Sequence, residues 1–83
     1  MAKKPYNGHE SWNAWNVALW IGNDEPLYLL ALDCIQRARG KGGRSIYERA
    51  ARLFVADVGA ARTPDGARYS VRSVRLALAG LES

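Results

Sequence analysis

All three tryptophans of this chain fall within nine residues, in the stretch Trp12-Asn13-Ala14-Trp15-Asn16-Val17-Ala18-Leu19-Trp20-Ile21. Trp12, Trp15 and Leu19 recur at i, i+3 and i+7, which is one stripe of a helix. Ala14, Val17, Ala18 and Ile21 form a second apolar stripe beside it, and Asn13, Asn16, Trp20 and Asn23 share the remaining circumference. A helix that is apolar over most of its surface needs cover over most of its surface. The stretch therefore predicts a central helix with the later helices packed around it.

The 83 residues are read as one domain, 1–83. A chain this short buries only about 60 to 65% of its unfolded surface, so its core needs large side chains. The expected core is Trp12, Trp15, Leu19, Trp20, Leu30, Phe54, Val74 and Leu78. Cys34 is the only cysteine, which excludes an internal disulfide. The basic start Met1-Ala2-Lys3-Lys4 is followed by Pro5-Tyr6-Asn7-Gly8 and not by an apolar run, so no signal peptide is expected. No apolar stretch reaches the length of a membrane span. A reduced, cytoplasmic setting is the expectation.

Taken in order, residues 1–8 read as an extended arm, with Pro5 and the Asn7-Gly8 turn signal arguing against helix. Ser11, or Asn7 a turn earlier, is the expected N-cap of the tryptophan helix, and Gly22-Asn23 its stop. Asp24 then caps a second helix over about residues 25–39, with Glu25 and Pro26 in its first turn. Leu27, Leu30, Ala31, Cys34, Ile35 and Ala38 form its inner face, and Tyr28, Leu29 and Leu32 a second apolar edge.

A glycine-rich linker follows at 40–44, and Ser45 with Glu48 reads as the capping box of a third helix. That helix buries Ile46, Tyr47, Ala50, Ala51, Phe54 and Val58, and Gly59 closes it. Thr63-Pro64-Asp65-Gly66 is the strongest turn signal of the chain. A short extended piece at Ala67-Arg68-Tyr69 precedes a last helix from Ser70 with a Val71, Val74, Leu78, Leu81 seam. The predicted fold is all-α, a compact domain of about four helices, with no internal repeat.

Charge is unevenly placed along this chain of net charge +4. Residues 1–36 set Lys3 and Lys4 against four acidic residues, a balance of −2. Residues 37–83 hold nine arginines and Lys41 against Glu48, Asp57, Asp65 and Glu82, a balance of +6. An arginine-rich half favours carboxylate, phosphate or nucleic-acid partners, though it is equally the mark of an ordinary solvated surface.

Chemistry-bearing motifs are scarce. His9 is the only histidine, and Cys34 falls on an inner helix face where a thiol behaves as a small hydrophobe. One His and one Cys give no metal-ligand spacing, and no metal or cofactor is expected. Gly40-Lys41-Gly42-Gly43-Arg44-Ser45 has the composition of an anion-holding loop, but the Walker spacing and a preceding strand are missing, so a plain linker is preferred. Arg68, Arg72 and Arg75 form a basic stripe on the last helix. A helix-turn-helix reading makes that helix a recognition helix, yet its apolar residues leave few polar side chains for base edges. Asparagine is a poor mid-helix residue, so Asn13 and Asn16 point to a specific need. The preferred reading has them bond the N-terminal arm and the loop at Gly22; the other makes them, with Trp20, a contact patch.

Tyr6-Asn7-Gly8 and the run Ser11 to Glu25 resemble a box found in small phage, prophage and plasmid proteins, approximately Y-N-G followed by N-Y-E-T-W-N-V-x-L-W-I-x-N-D-E. Trp15, Asn16, Val17, Leu19, Trp20, Ile21, Asn23, Asp24 and Glu25 match it directly. Trp12 stands in place of its tyrosine, and Asn13 and Ala14 in place of its E-T pair. The resemblance covers about the first third of the chain. It implies an accessory role on a mobile element, a setting that includes antirestriction and anti-CRISPR inhibitors, and it carries over no catalytic residue.

Together these readings predict a non-enzymatic binding protein that sterically inhibits a host defence complex, with an anti-CRISPR protein acting on a CRISPR–Cas effector as its concrete form. The expected contact surface joins Arg37, Arg39, Arg44, Arg68, Arg72 and Arg75 with Tyr28 or Tyr69. The alternative is a small basic nucleic-acid-binding regulator. Monomer and homodimer both stay open.

Overall fold

A computed structural model describes residues 11–40 and 45–82. It contains four helices: α1 (Trp12–Asn23), α2 (Glu25–Gly40), α3 (Ile46–Val58) and α4 (Val71–Leu81). The all-α domain is as expected. The expected arm at 1–8 and the linker residues 41–44 lie outside the described residues; Gly40 closes α2 from within the helix.

The helix ends follow from local chemistry. The Ser11 hydroxyl accepts from the Ala14 N–H at 3.1 Å, and the Ser70 hydroxyl accepts from the Ser73 N–H at 3.1 Å. Asp24 ends α1 and begins α2. Its extended backbone donates N–H to the Trp20 carbonyl at 2.9 Å, while its carboxylate accepts from the Leu27 N–H at 3.2 Å. The left-handed stop expected at Gly22-Asn23 is therefore not used. The expected capping box at Ser45 also does not form: the hydroxyl makes no capping bond, and Glu48 instead pairs with Arg52 at 2.8 Å. Gly59 does close α3, in the left-handed region at φ +63°.

Packing is most extensive between α1 and α4, α2 and α3, and α3 and α4, and α1 closes the circuit more lightly on α2. The tryptophan helix is thus not enclosed. It buries Ala14, Val17 and Ile21, and one face stays in solvent, with Trp12 39% and Leu19 37% exposed. Both depart from the expected core, as do Trp15, Trp20 and Leu30 in being only half-buried. The reason is steric. Ala31, Ala38, Ala50, Ala51 and Ala77 are buried on the facing helices and bring them together with little free volume. What remains takes one packed ring pair, Phe54 against Tyr69 at 5.7 Å, with Ile35, Val74 and Leu78 around it.

Phe54→Ala should lower the unfolding free energy by about 3–5 kcal/mol, and Trp12→Ala clearly less, because much of that indole is already hydrated. Urea unfolding followed by circular dichroism compares them. Equal losses would mean that the core is centred on α1.

Candidate functional site

The connection from α3 to α4 is a small hairpin built on the predicted turn. Gly66 N–H donates to the Thr63 carbonyl at 2.8 Å, Thr63 N–H donates to the Ala67 carbonyl at 2.9 Å, and Gly66 sits at φ +94°. A three-residue hairpin loop ending in a left-handed residue needs glycine there. The closure sets Arg62 opposite Arg68 in an isolated antiparallel bridge. At residues 59–70 the connection far exceeds the roughly three- or four-residue turn of a helix-turn-helix.

Polar side chains of α1 hold this hairpin. The Asn13 side-chain amide donates to the Arg68 carbonyl at 2.8 Å and to the Ser73 hydroxyl at 2.9 Å, and its oxygen accepts from the Arg68 N–H at 2.9 Å. Asn16 is buried and donates to the Asp65 carboxylate at 2.8 Å, while its oxygen accepts from the Thr63 hydroxyl at 2.6 Å. The Trp20 indole N–H donates to the same Asp65 oxygen at 2.9 Å. The mid-helix asparagines thus satisfy loop groups, as the preferred reading holds, but the loop is the α3–α4 hairpin and not the one at Gly22. The Asn23 side chain donates within its own helix, to the Leu19 carbonyl at 2.8 Å. Hydrogen bonds from Asn16 and then Trp20 hold the Asp65 carboxyl below the ordinary aspartate range.

The residues expected to contact a partner are scattered. Arg37 pairs with Asp33 at 3.0 Å and with Asp57 at 3.1 Å, tying α2 to α3. Arg39 pairs with Glu82 at 2.7 Å, where the Tyr47 hydroxyl also donates at 2.7 Å. Both arginines are exposed but matched inside the chain. Arg44 lies outside the described residues. Arg68 and Arg72 are exposed, and Arg75 is half-buried beside Ser45, Tyr47 and Glu48. Tyr28 is 38% exposed. Tyr69 is not an exposed anchor: it is buried against Phe54, and burial pushes its hydroxyl up. The hairpin folds it inward, which a reading of local sequence does not show.

A different surface stands out. The large exposed hydrophobics among the described residues are Trp12 and Leu19 on α1 and Tyr28 and Leu29 on α2. Leu29, at 55%, is the most exposed of them. Its sequence signal is the second apolar edge of α2, more apolar surface than one buried face uses. The Cys34 thiol is buried, and burial raises it above its ordinary value, the opposite of an activated nucleophile. His9 lies outside the described residues. Among the described residues no group of three or more His, Cys, Asp or Glu is placed to hold a metal ion, and no helix is long and apolar enough to cross a membrane.

The chain belongs to a family of unknown function (DUF7249), which it matches over residues 2–78. No curated protein and no solved structure matches it.

Asn16→Ala should destabilise the fold by about 1–3 kcal/mol, since it strands the Thr63 hydroxyl and removes a donor from Asp65. Thermal unfolding reads this as a fall of roughly 4–8 °C per kcal/mol. For Asp65→Asn the sign follows from the lowered carboxyl. The wild type's advantage is full above the ordinary aspartate range and shrinks as pH falls through the lowered value. An advantage that stays constant into acid would contradict the clamp.

Proposed function

We propose that this chain is a non-enzymatic accessory protein that binds a host defence complex and blocks it sterically, with a CRISPR–Cas effector as the leading target. The observation that carries the reading is the set of exposed apolar side chains Trp12, Leu19, Tyr28 and Leu29 on α1 and α2. Large exposed apolar groups on two consecutive helices suit a protein partner, and tryptophan and tyrosine are common anchors of such interfaces. The defence target rests on the resemblance of Tyr6-Asn7-Gly8 and the Ser11–Glu25 run to small mobile-element proteins. A nucleic-acid partner is less favoured, because Arg37, Arg39 and Arg52 already face carboxylates of this chain.

The test uses tagged full-length protein with a purified CRISPR–Cas effector and with nuclease-treated host lysate. The reading expects a stable complex and loss of effector activity. Leu29→Asp and Leu19→Asp should weaken both while leaving the melting temperature nearly unchanged, since exposed substitutions cost little stability. No binding to a defence complex, or binding unaffected by these variants, overturns the proposal. Recovery that vanishes with nuclease moves the function to nucleic acid, with an affinity that falls steeply with salt.

A further inference from the structure

We propose that the cleft between the α3–α4 hairpin and the start of α4 binds a phosphomonoester through Arg62 and Arg68. The site is separate from the apolar face of α1 and α2 and does not rest on the function proposed for that face.

Arg62 and Arg68 are directly opposite in an antiparallel bridge, so their side chains leave the hairpin on the same side. Like charges in that position repel, and a carboxylate between them is the ordinary remedy. The sequence supplies one, Asp65, three residues from each. The fold turns it the other way, onto the neutral donors of Asn16 and Trp20 on α1. Arg62 is left with a bond to the Gly66 carbonyl at 3.1 Å, which carries no full charge. Arg68 is fixed through its backbone by Asn13, not through its guanidinium. Neither joins an ion pair among the described residues.

The cleft beside them has a volume of about 470 Å³. Among the described residues its lining includes both arginines, Gly59 to Ala61, and Ser70 and Val71 at the start of α4, and no acidic residue. The first turn of α4 also holds no acid, so the positive end of the helix adds to the field of the guanidiniums. Two guanidinium forks suit a phosphate, whose oxygens accept paired hydrogen bonds. The volume is within the usual range of about 300–1,000 Å³ for small-ligand sites and exceeds what a phosphate alone fills. Val55, Val71 and Tyr69 supply apolar wall for whatever carries the phosphate. A 5′-mononucleotide and the 5′-phosphorylated end of a nucleic-acid strand share this chemistry.

The experiment follows amide shifts of the isotopically labelled full chain in a phosphate-free, low-salt buffer. The additions are inorganic phosphate, a 5′-mononucleotide, and a short single strand with or without its 5′-phosphate. Saturable shifts clustered at Arg62, Arg68, Ser70 and Val71 are expected. Arg62→Gln and Arg68→Gln should each weaken the affinity roughly tenfold, and the double variant should abolish it. Both residues are exposed, and an unchanged melting temperature shows that the variants are folded. A stronger response to the mononucleotide than to the phosphorylated strand identifies a free nucleotide as the source, and the reverse identifies a strand end. No saturable shift with any of these anions overturns the proposal. So do shifts spread over the other arginines, or shifts that persist in the double variant.

Discussion

The Asn16 side chain, buried in α1, ties the first helix to the α3–α4 hairpin. One amide group takes the Thr63 hydroxyl at 2.6 Å and gives to Asp65 at 2.8 Å. Thr63 in turn accepts from the Ala67 N–H at 2.9 Å. A buried polar group is costly without a hydrogen-bond partner, and here the amide nitrogen and the amide oxygen of Asn16 each have one. Trp20 and Asn13 extend the same attachment along the hairpin. That attachment folds Tyr69 inward against Phe54, and so a polar contact near the surface positions the ring pair of the core.

The core explains why the aromatic helix ends at an edge. Buried alanines on α2, α3 and α4 let those helices pack closely, and close packing leaves no room for indoles. The tryptophans serve at the margin, where Trp20 keeps its ring N–H on a carboxylate and Trp12 is partly hydrated. Several residues of the Ser11–Glu25 run thus have structural work. Val17 and Ile21 fill the core, Asn16 and Trp20 hold the hairpin, and Asp24 joins two helices. Leu19, from the same run, is exposed.

Much of this fold was legible in the sequence because it is local. The caps at Ser11 and Asp24, the start of the last helix at Ser70, the Thr63–Gly66 turn and the inner face of α2 each depend on residues a few positions apart. The capping box at Ser45 failed although its pattern was present, since Glu48 had a competing partner in Arg52 one turn on. The site was less legible. The partners of Asn13 and Asn16 lie some fifty positions away, and helical periodicity says nothing about which loop returns to a given face. Nor does a count of arginines reveal that Arg37 and Arg39 are matched by Asp57 and Glu82 from other parts of the chain.

Asp24 is the whole joint between α1 and α2, and it is bonded on both sides, to the Trp20 carbonyl behind it and the Leu27 N–H ahead. A joint of one residue leaves the two helices no independent phase. The outward angle of Trp12 and Leu19 on α1 is thereby tied to that of Tyr28 and Leu29 on α2. With one residue added at this point, no single residue could serve both the Trp20 carbonyl and the Leu27 N–H, and the fixed relation between the two helices would be lost. The length of the joint is therefore a determinant of shape in its own right, apart from the identity of any side chain that it presents.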